Sequence, residues 1–191
     1  MRSPTGLRAW TSETLLGLLA VTGMRLREVL ALDRHDVDLR EGVLAIRQTK
    51  CRKPRLVPVH KTTRVALLRY ARVRDRVHPR PKTEAFLVSE RGLRLNQYSV
   101  REIFVRLSRA IGIRTPIGRF GHGPRLHDLR HRLAVNTLVR WYRSGVDLER
   151  RLPMLSTYRG HTKGTDTYWY LEAIPELLRL ALARVERGGA Q

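Results

Sequence analysis

Apolar residues recur at helical spacing over most of this chain, and one segment changes period. Leu15, Leu16, Leu18, Leu19 and Val21 mark a first helix that Thr11 or Ser12 would cap and Gly23 would interrupt. MRLREVLAL follows at once as a second helical piece. Its apolar set is Leu26, Val29 and Leu30, and Arg25 and Glu28 stand one turn apart on one face. From residue 36 the pattern shortens to β-branched and apolar runs broken by turn residues. It predicts three antiparallel strands over 36–39, 43–49 and 55–59, with Lys50 at the tip of the second connection. Helical spacing resumes over 61–77, with Val65, Leu68 and the stem of Arg72 expected on the buried side, until HPRPK stops it.

Phe86 to Val88 is an apolar run too short to assign. A helix over 96–111 presents Val100, Phe104, Leu107 and Ile111, with Gly112 to close it. A Gly- and Pro-rich loop then delivers the chain to RLHDLRHRLAVNTLVRWYRSG, residues 125–145. There Leu126, Leu129, Leu133 and Thr137 form a stripe that can anchor a helix in a core. His127, Arg130 and His131, three and four apart, share the adjoining side and can face an anion. A helix around 148–158 carries Pro153 in its interior, and 175–187 reads as an amphipathic terminal helix. These elements imply an α+β fold, mostly helical with a small three-stranded antiparallel sheet. Residues 1–10 form a lead-in, 11–174 the main body, and 175–191 a C-terminal helix and tail.

Composition adds a partner. A chain of 191 residues with 42% hydrophobic content can build a core, yet its formal charge is +21. Charge of that size repels itself in a compact domain and suits a polyanion, so a nucleic acid is the expected partner, with a ribosomal-type or merely soluble basic protein as the plainer reading. Cys51 is the single cysteine, which rules out an intrachain disulfide. The N-terminal residues lack the apolar core of a signal peptide, and no apolar run reaches the length of a membrane span, so a cytoplasmic location is expected. Lysine occurs only at positions 50, 53, 61, 82 and 163, so a well-placed lysine says more than any one arginine.

In order, the chain offers TGMRLRE at 22–28, TK at 49–50, HDLRH at 127–131, GH at 160–161 and TYWYL at 167–171. This ordered set resembles the tyrosine recombinases, the family of phage integrases, chromosome-dimer resolvases and related transposases, over their C-terminal catalytic domain. The specificity lies in the series, because HxxR alone is weak in a chain with seven histidines. Arg25 matches the family's first catalytic arginine, after a Thr-Gly turn, and Glu28 the acidic residue three positions on. Lys50 matches the hairpin lysine, with Lys53 its rival. His127 and Arg130 match the His and second Arg of HxxR, and His131 sits where a second histidine is common. His161 matches the histidine after a glycine, and Tyr170, nine residues later, the nucleophile; Tyr168 is only seven away. Two departures are Arg159 before Gly160 and Met24, where leucine is more usual.

The resemblance implies a DNA breaking-rejoining fold and a site-specific recombinase, integrase or transposase working through a covalent 3′-phosphotyrosine. It implies assembly as a homo-oligomer, a tetramer, on DNA. It also implies an N-terminal DNA-clamping domain of about a hundred residues; only some ten residues precede the match, so a fragment, a shortened gene or a minimal form is expected, with weak and less specific DNA binding without the rest of the clamp. The chemistry agrees with the residue types. Phenolic attack on a phosphodiester gathers charge on the non-bridging oxygens, and two arginine forks can meet it without a metal ion or other cofactor.

Plainer readings stand beside each residue. Lys50 can be a solvated turn lysine, His131 a support for the helix, Glu28 a surface partner of a nearby arginine, and Tyr168 and Trp169 packing aromatics. A zinc site from Cys51, His122, His127 and His161 lacks the required spacing, and the His127–His131 pair lacks further ligands. The alternative function is a non-catalytic or truncated DNA-binding relative without the clamp domain. A metal-dependent nuclease would need clustered carboxylates, which are scarce near the motifs.

Overall fold

The computed structural model describes residues 5–47, 54–115 and 123–159. Its elements run α1 (Leu7–Thr22), α2 (Leu26–Ala31), a 3-10 turn (Arg34–Asp36), β1 (Val37–Asp38), β2 (Val43–Ile46), β3 (Arg55–Pro58), α3 (Lys61–Val77), α4 (Gln97–Ala110), α5 (Leu126–Arg143) and α6 (Leu148–Arg159). The mostly helical α+β architecture expected from the sequence is the one observed. The strands pair antiparallel in the order β1-β2-β3, with Val37 opposite Leu44, Leu44 opposite Val57 and Ile46 opposite Arg55. Alternation along β2 and β3 turns Leu44, Ile46 and Val57 inward. The pairing is shorter than the strand ranges read from the sequence, and β2 ends at Ile46.

The main core gathers Leu7, Leu15, Leu18 and Leu19 of α1, Val29 of α2, Leu44 and Val57 of the sheet, Leu67 and Tyr70 of α3, and Ala85 to Val88. Helix α1 lies against both α3 and α5. The first half of α5 joins this core through Leu126 and Leu129, whereas its second half forms a smaller cluster with α6 from Ala134, Leu138, Val139, Leu152 and Leu155. Pro153 is accommodated inside α6.

Three expectations need correction. Helix α1 begins at Leu7 after a left-handed Gly6, so the lead-in is shorter than residues 1–10 and Thr11 is no cap. Thr11 is buried, and its hydroxyl donates to the Val88 carbonyl at 3.0 Å. On α3 the buried face is Leu67, Tyr70, Ala71 and Arg74, while Val65 is exposed. Spacing of i, i+3, i+4 and i+7 is kept, but its last member is an arginine. The Arg74 guanidinium lies 5.0 Å from the Phe86 ring centroid and donates to the Phe86 carbonyl at 2.9 Å. On α4, Val100 is buried but Leu107 and Ile111 are exposed; Ser108 is buried instead, and its carbonyl accepts the N–H groups of Ile113 and Arg114.

The 85–88 run is the buried segment between α3 and α4, bridged to Asp33 and Arg94. Among the described residues no helix is long and apolar enough to cross a membrane. The terminal helix expected at 175–187 lies outside the described residues, as do Lys50, His161 and Tyr170.

Candidate active site

The turn between α1 and α2 is the foundation of the site. Gly23 ends α1 at φ +60°, its N–H donating to the Leu19 carbonyl at 3.2 Å. A Cβ there would sit 2.8 Å from Leu133 Cδ2 of α5, so glycine serves both the left-handed backbone and the close approach of that helix. Thr22 stitches the same turn, its hydroxyl donating to the Leu18 carbonyl at 2.5 Å and accepting the Met24 N–H at 3.3 Å.

Arg25 is the N-cap residue of α2 in an extended conformation, and Glu28 is the third helical residue. The Glu28 carboxylate reaches back to accept the Arg25 backbone N–H at 2.8 Å, which satisfies a donor the helix leaves unpaired. Its other oxygen accepts from Arg25 Nη1 at 3.2 Å. Arg55 of β3 approaches the same carboxylate fork to fork, Nη1 at 3.1 Å and Nη2 at 2.8 Å. Burial alone would push the Glu28 carboxyl up, but the hydrogen bonds and charges of Arg55 and Arg25 outweigh it and hold the group below its ordinary value.

Arg130 is buried on α5, and its Nη1 donates to the Gly23 carbonyl across 107 positions of sequence. One turn earlier, His127 is exposed, its ring edge-on to His131 with centroids 4.5 Å apart; His131 is half-buried. Arg25, Arg130 and His127 open onto a cleft of about 490 Å³ between the α1–α2 turn, α4 and the start of α5. Six arginines line it, namely Arg25, Arg27, Arg101, Arg114, Arg125 and Arg130, and among the described residues no carboxylate does. Glu28 sits behind that lining. A cleft of this kind has a positive field and donor forks at its base, which suits a phosphodiester.

Two other places bear comparison. A cleft of about 350 Å³ between the start of α1, residues 88–91 and α4 mixes Arg8, Arg91 and Arg106 with Glu90 and Glu102 and holds none of the candidate catalytic residues. Asp33, His35 and Asp36 bring their ligand atoms within 4.8 Å of one another. The two carboxylates, however, are already engaged. Asp33 accepts from Arg94 Nη2, and Asp36 from Arg47 Nε at 2.7 Å and the Asp33 N–H at 2.9 Å.

The fold thus brings Arg25, Glu28, His127, Arg130 and His131 to one region. Sequence reasoning missed Arg55 and the Gly23 carbonyl. Arg55 had a legible signal: it alternates with Val57, a fully buried strand residue, while Leu56 and Pro58 face out. The Gly23 carbonyl had none, because a backbone acceptor has no sequence signature.

Residues 4–176 match the Phage integrase family. The chain is 46% identical over 178 residues to the putative integrase/recombinase y4rE of Sinorhizobium fredii (93% of this chain, 56% of that protein), and 47% identical over 182 residues to y4rB of the same organism (95% and 57%). It spans a little over half the length of these curated relatives. Among solved structures it resembles that of XerA recombinase, with a TM-score of 0.71 at 23% identity, covering 94% of this chain and 58% of that one. It also resembles XerH site-specific recombinase bound to palindromic difH substrate, with a TM-score of 0.70 at 20% identity, covering 97% and 48%. The motif series, the helical fold around a three-stranded sheet and these likenesses agree: the chain belongs to the phage integrase family of tyrosine recombinases.

Proposed function

We propose that this chain is the catalytic part, from the start of α1 to residue 174, of a site-specific DNA recombinase, integrase or transposase that cuts and rejoins strands through a 3′-phosphotyrosine. The observation that carries the reading is the joint anchoring of Arg25 and Arg130 on one turn, at the base of a cleft lined by arginines and without a carboxylate among the described residues. In this mechanism Arg25 and Arg130 bind the non-bridging oxygens of the scissile phosphate and stabilise the charge that gathers there in the transition state. The Tyr170 oxygen attacks phosphorus, its proton passing to His127 or His161. The P–O5′ bond breaks as Lys50 protonates the departing oxygen. One phosphodiester is exchanged for another, so a free 5′ hydroxyl can reverse the step without ATP. Glu28 braces Arg25, and His131 supports the helix that carries His127.

Supporting this reading are relatives named integrase/recombinase and solved neighbours that include XerH in a post-cleavage complex and a lambda integrase tetramer bound to a Holliday junction. We accordingly propose double-stranded DNA as the partner, a homotetramer on DNA with residues 175–191 docking on a neighbouring protomer, and a cytoplasmic site of action. No step calls for a metal, since the charge is met by guanidinium forks.

The test is covalent capture. Incubated with a suicide DNA substrate nicked beside the cleavage site, in the presence of chelator, the chain should form an adduct that survives denaturant, and Tyr170→Phe should form none. An adduct with Tyr170→Phe overturns the choice of nucleophile. Tight DNA binding without any adduct from the unaltered chain would instead favour the non-catalytic alternative.

A further inference from the structure

Arg55 is not in the cleft lining, yet its side chain makes shorter contacts than Arg25's side chain to the carboxylate they share. Each Glu28 oxygen accepts twice: Oε1 from Arg25 Nη1 at 3.2 Å and Arg55 Nη1 at 3.1 Å, Oε2 from the Arg25 backbone at 2.8 Å and Arg55 Nη2 at 2.8 Å. Arg25's side-chain contact is the longest of the four. Its side chain is 27% exposed toward the cleft, against 10% for Arg55 and 3% for Glu28. One buried negative charge is thus shared between two guanidiniums. The arginine outside the cleft lining engages it fork to fork.

We infer that Arg55 is a positioning residue for Arg25: by occupying the Glu28 carboxylate in bidentate fashion, it keeps Glu28 from drawing Arg25 into a closed pair and leaves Arg25 turned to the phosphate. This inference rests on the function proposed above. A carboxylate with a single guanidinium partner in a buried setting would take both of its donors, because an uncompensated buried charge is costly. The Arg25 fork would then be spent on Glu28, and the cluster would present no net charge to the cleft. With Arg55 in place the trio carries one surplus positive charge. The bidentate geometry explains why the residue is arginine, since a lysine would supply a point charge without the second bond. Arg55 also opens β3 opposite Ile46 of β2, at the base of the connection that contains Lys50. The same side chain therefore ties the start of β3 to α2.

The experiment measures the single-turnover rate of adduct formation on the suicide substrate at saturating DNA, together with DNA affinity and melting temperature. Arg55→Met should lower the rate by about a hundred-fold, the scale of a reacting group displaced by about an ångström, with DNA affinity unchanged. The decisive variant is Glu28→Gln combined with Arg55→Met. Removing the carboxylate charge releases Arg25, so the double variant should react about ten-fold faster than Arg55→Met alone. Arg55→Lys should fall between wild type and Arg55→Met. A purely structural role predicts no rescue. The inference is overturned if Arg55→Met reacts at the wild-type rate, or if the folded double variant is no faster than the single one. Should Arg55→Met not fold, Arg55→Lys decides: an unchanged rate overturns the inference, and a lowered rate at unchanged melting temperature upholds it. Absence of adduct from the unaltered chain is a different result. It overturns the proposed function, and the inference falls with it.

Discussion

Two clusters of arginine and carboxylate lie close together in this fold and differ in their charge count. Around Asp33 and Asp36, two carboxylates face Arg94 and Arg47, so the charges cancel and the group fastens the 3-10 turn to its surroundings. Around Glu28, one carboxylate faces both Arg25 and Arg55, so these three groups alone sum to one positive charge beside a cleft with further arginines. In the first arrangement each carboxylate has its own guanidinium. In the second, two guanidiniums share one carboxylate and one of the two lines the cleft.

The comparison can be broken experimentally, beginning with the largest expected effect. Arg130→Ala removes a fork from the surplus side and should lower the rate of adduct formation by about 10²–10³, the usual loss for one donor to a developing oxyanion. A fall under ten-fold in a single-turnover assay would show that Arg130 serves the Gly23 carbonyl and not the phosphate. Arg94→Ala, on the balanced side, should leave that rate untouched and cost at most about 1 kcal/mol in urea unfolding, because Arg94 is substantially exposed. A drop in rate there would erase the distinction between the clusters.

The smallest effect is in the pH dependence of stability. Glu28 and Asp33 both have carboxyl pKa values lowered in the fold, Glu28 because arginine contacts outweigh its burial, Asp33 first through the Arg94 hydrogen bond. A lowered folded pKa gives stability that is complete above the unfolded value and is lost as pH falls through the folded one. The advantage of the wild-type chain over Glu28→Gln should therefore be constant near neutrality and begin to shrink near the ordinary carboxyl value of 4.5; that over Asp33→Asn should begin to shrink near 3.8. Unfolding free energies measured from neutral to acid pH would check both. A margin that widened on acidification would contradict the ion-paired geometry.

Much of the fold was legible because it depends on period. The α5 helix, the three-stranded sheet and the break at Gly23 follow from spacing and turn residues alone. The buried face of α3 was misread for a physical reason: Arg74 occupies a core position by burying its stem and laying its guanidinium over Phe86, and a polar symbol in the pattern rotated the expected face toward Val65. In the site, Arg25, Glu28 and Arg130 were readable as a motif, but their geometry was not. Arg130 meets Gly23 through a backbone carbonyl, and Glu28 meets Arg55 across 27 positions, contacts that only the tertiary fold creates.

The Gly23 turn couples Arg25 to Arg130. Arg25 departs from it through the backbone and Arg130 donates to its carbonyl, so a local opening of this one turn disturbs the support of both guanidiniums together. A chain with a formal charge of +21 would still adhere to DNA in that state through its scattered arginines, while losing the paired forks. Affinity for DNA and competence at a phosphate are therefore separable properties here. The exchange rate of the Gly23 amide hydrogen, bonded to the Leu19 carbonyl, reports how often this turn opens.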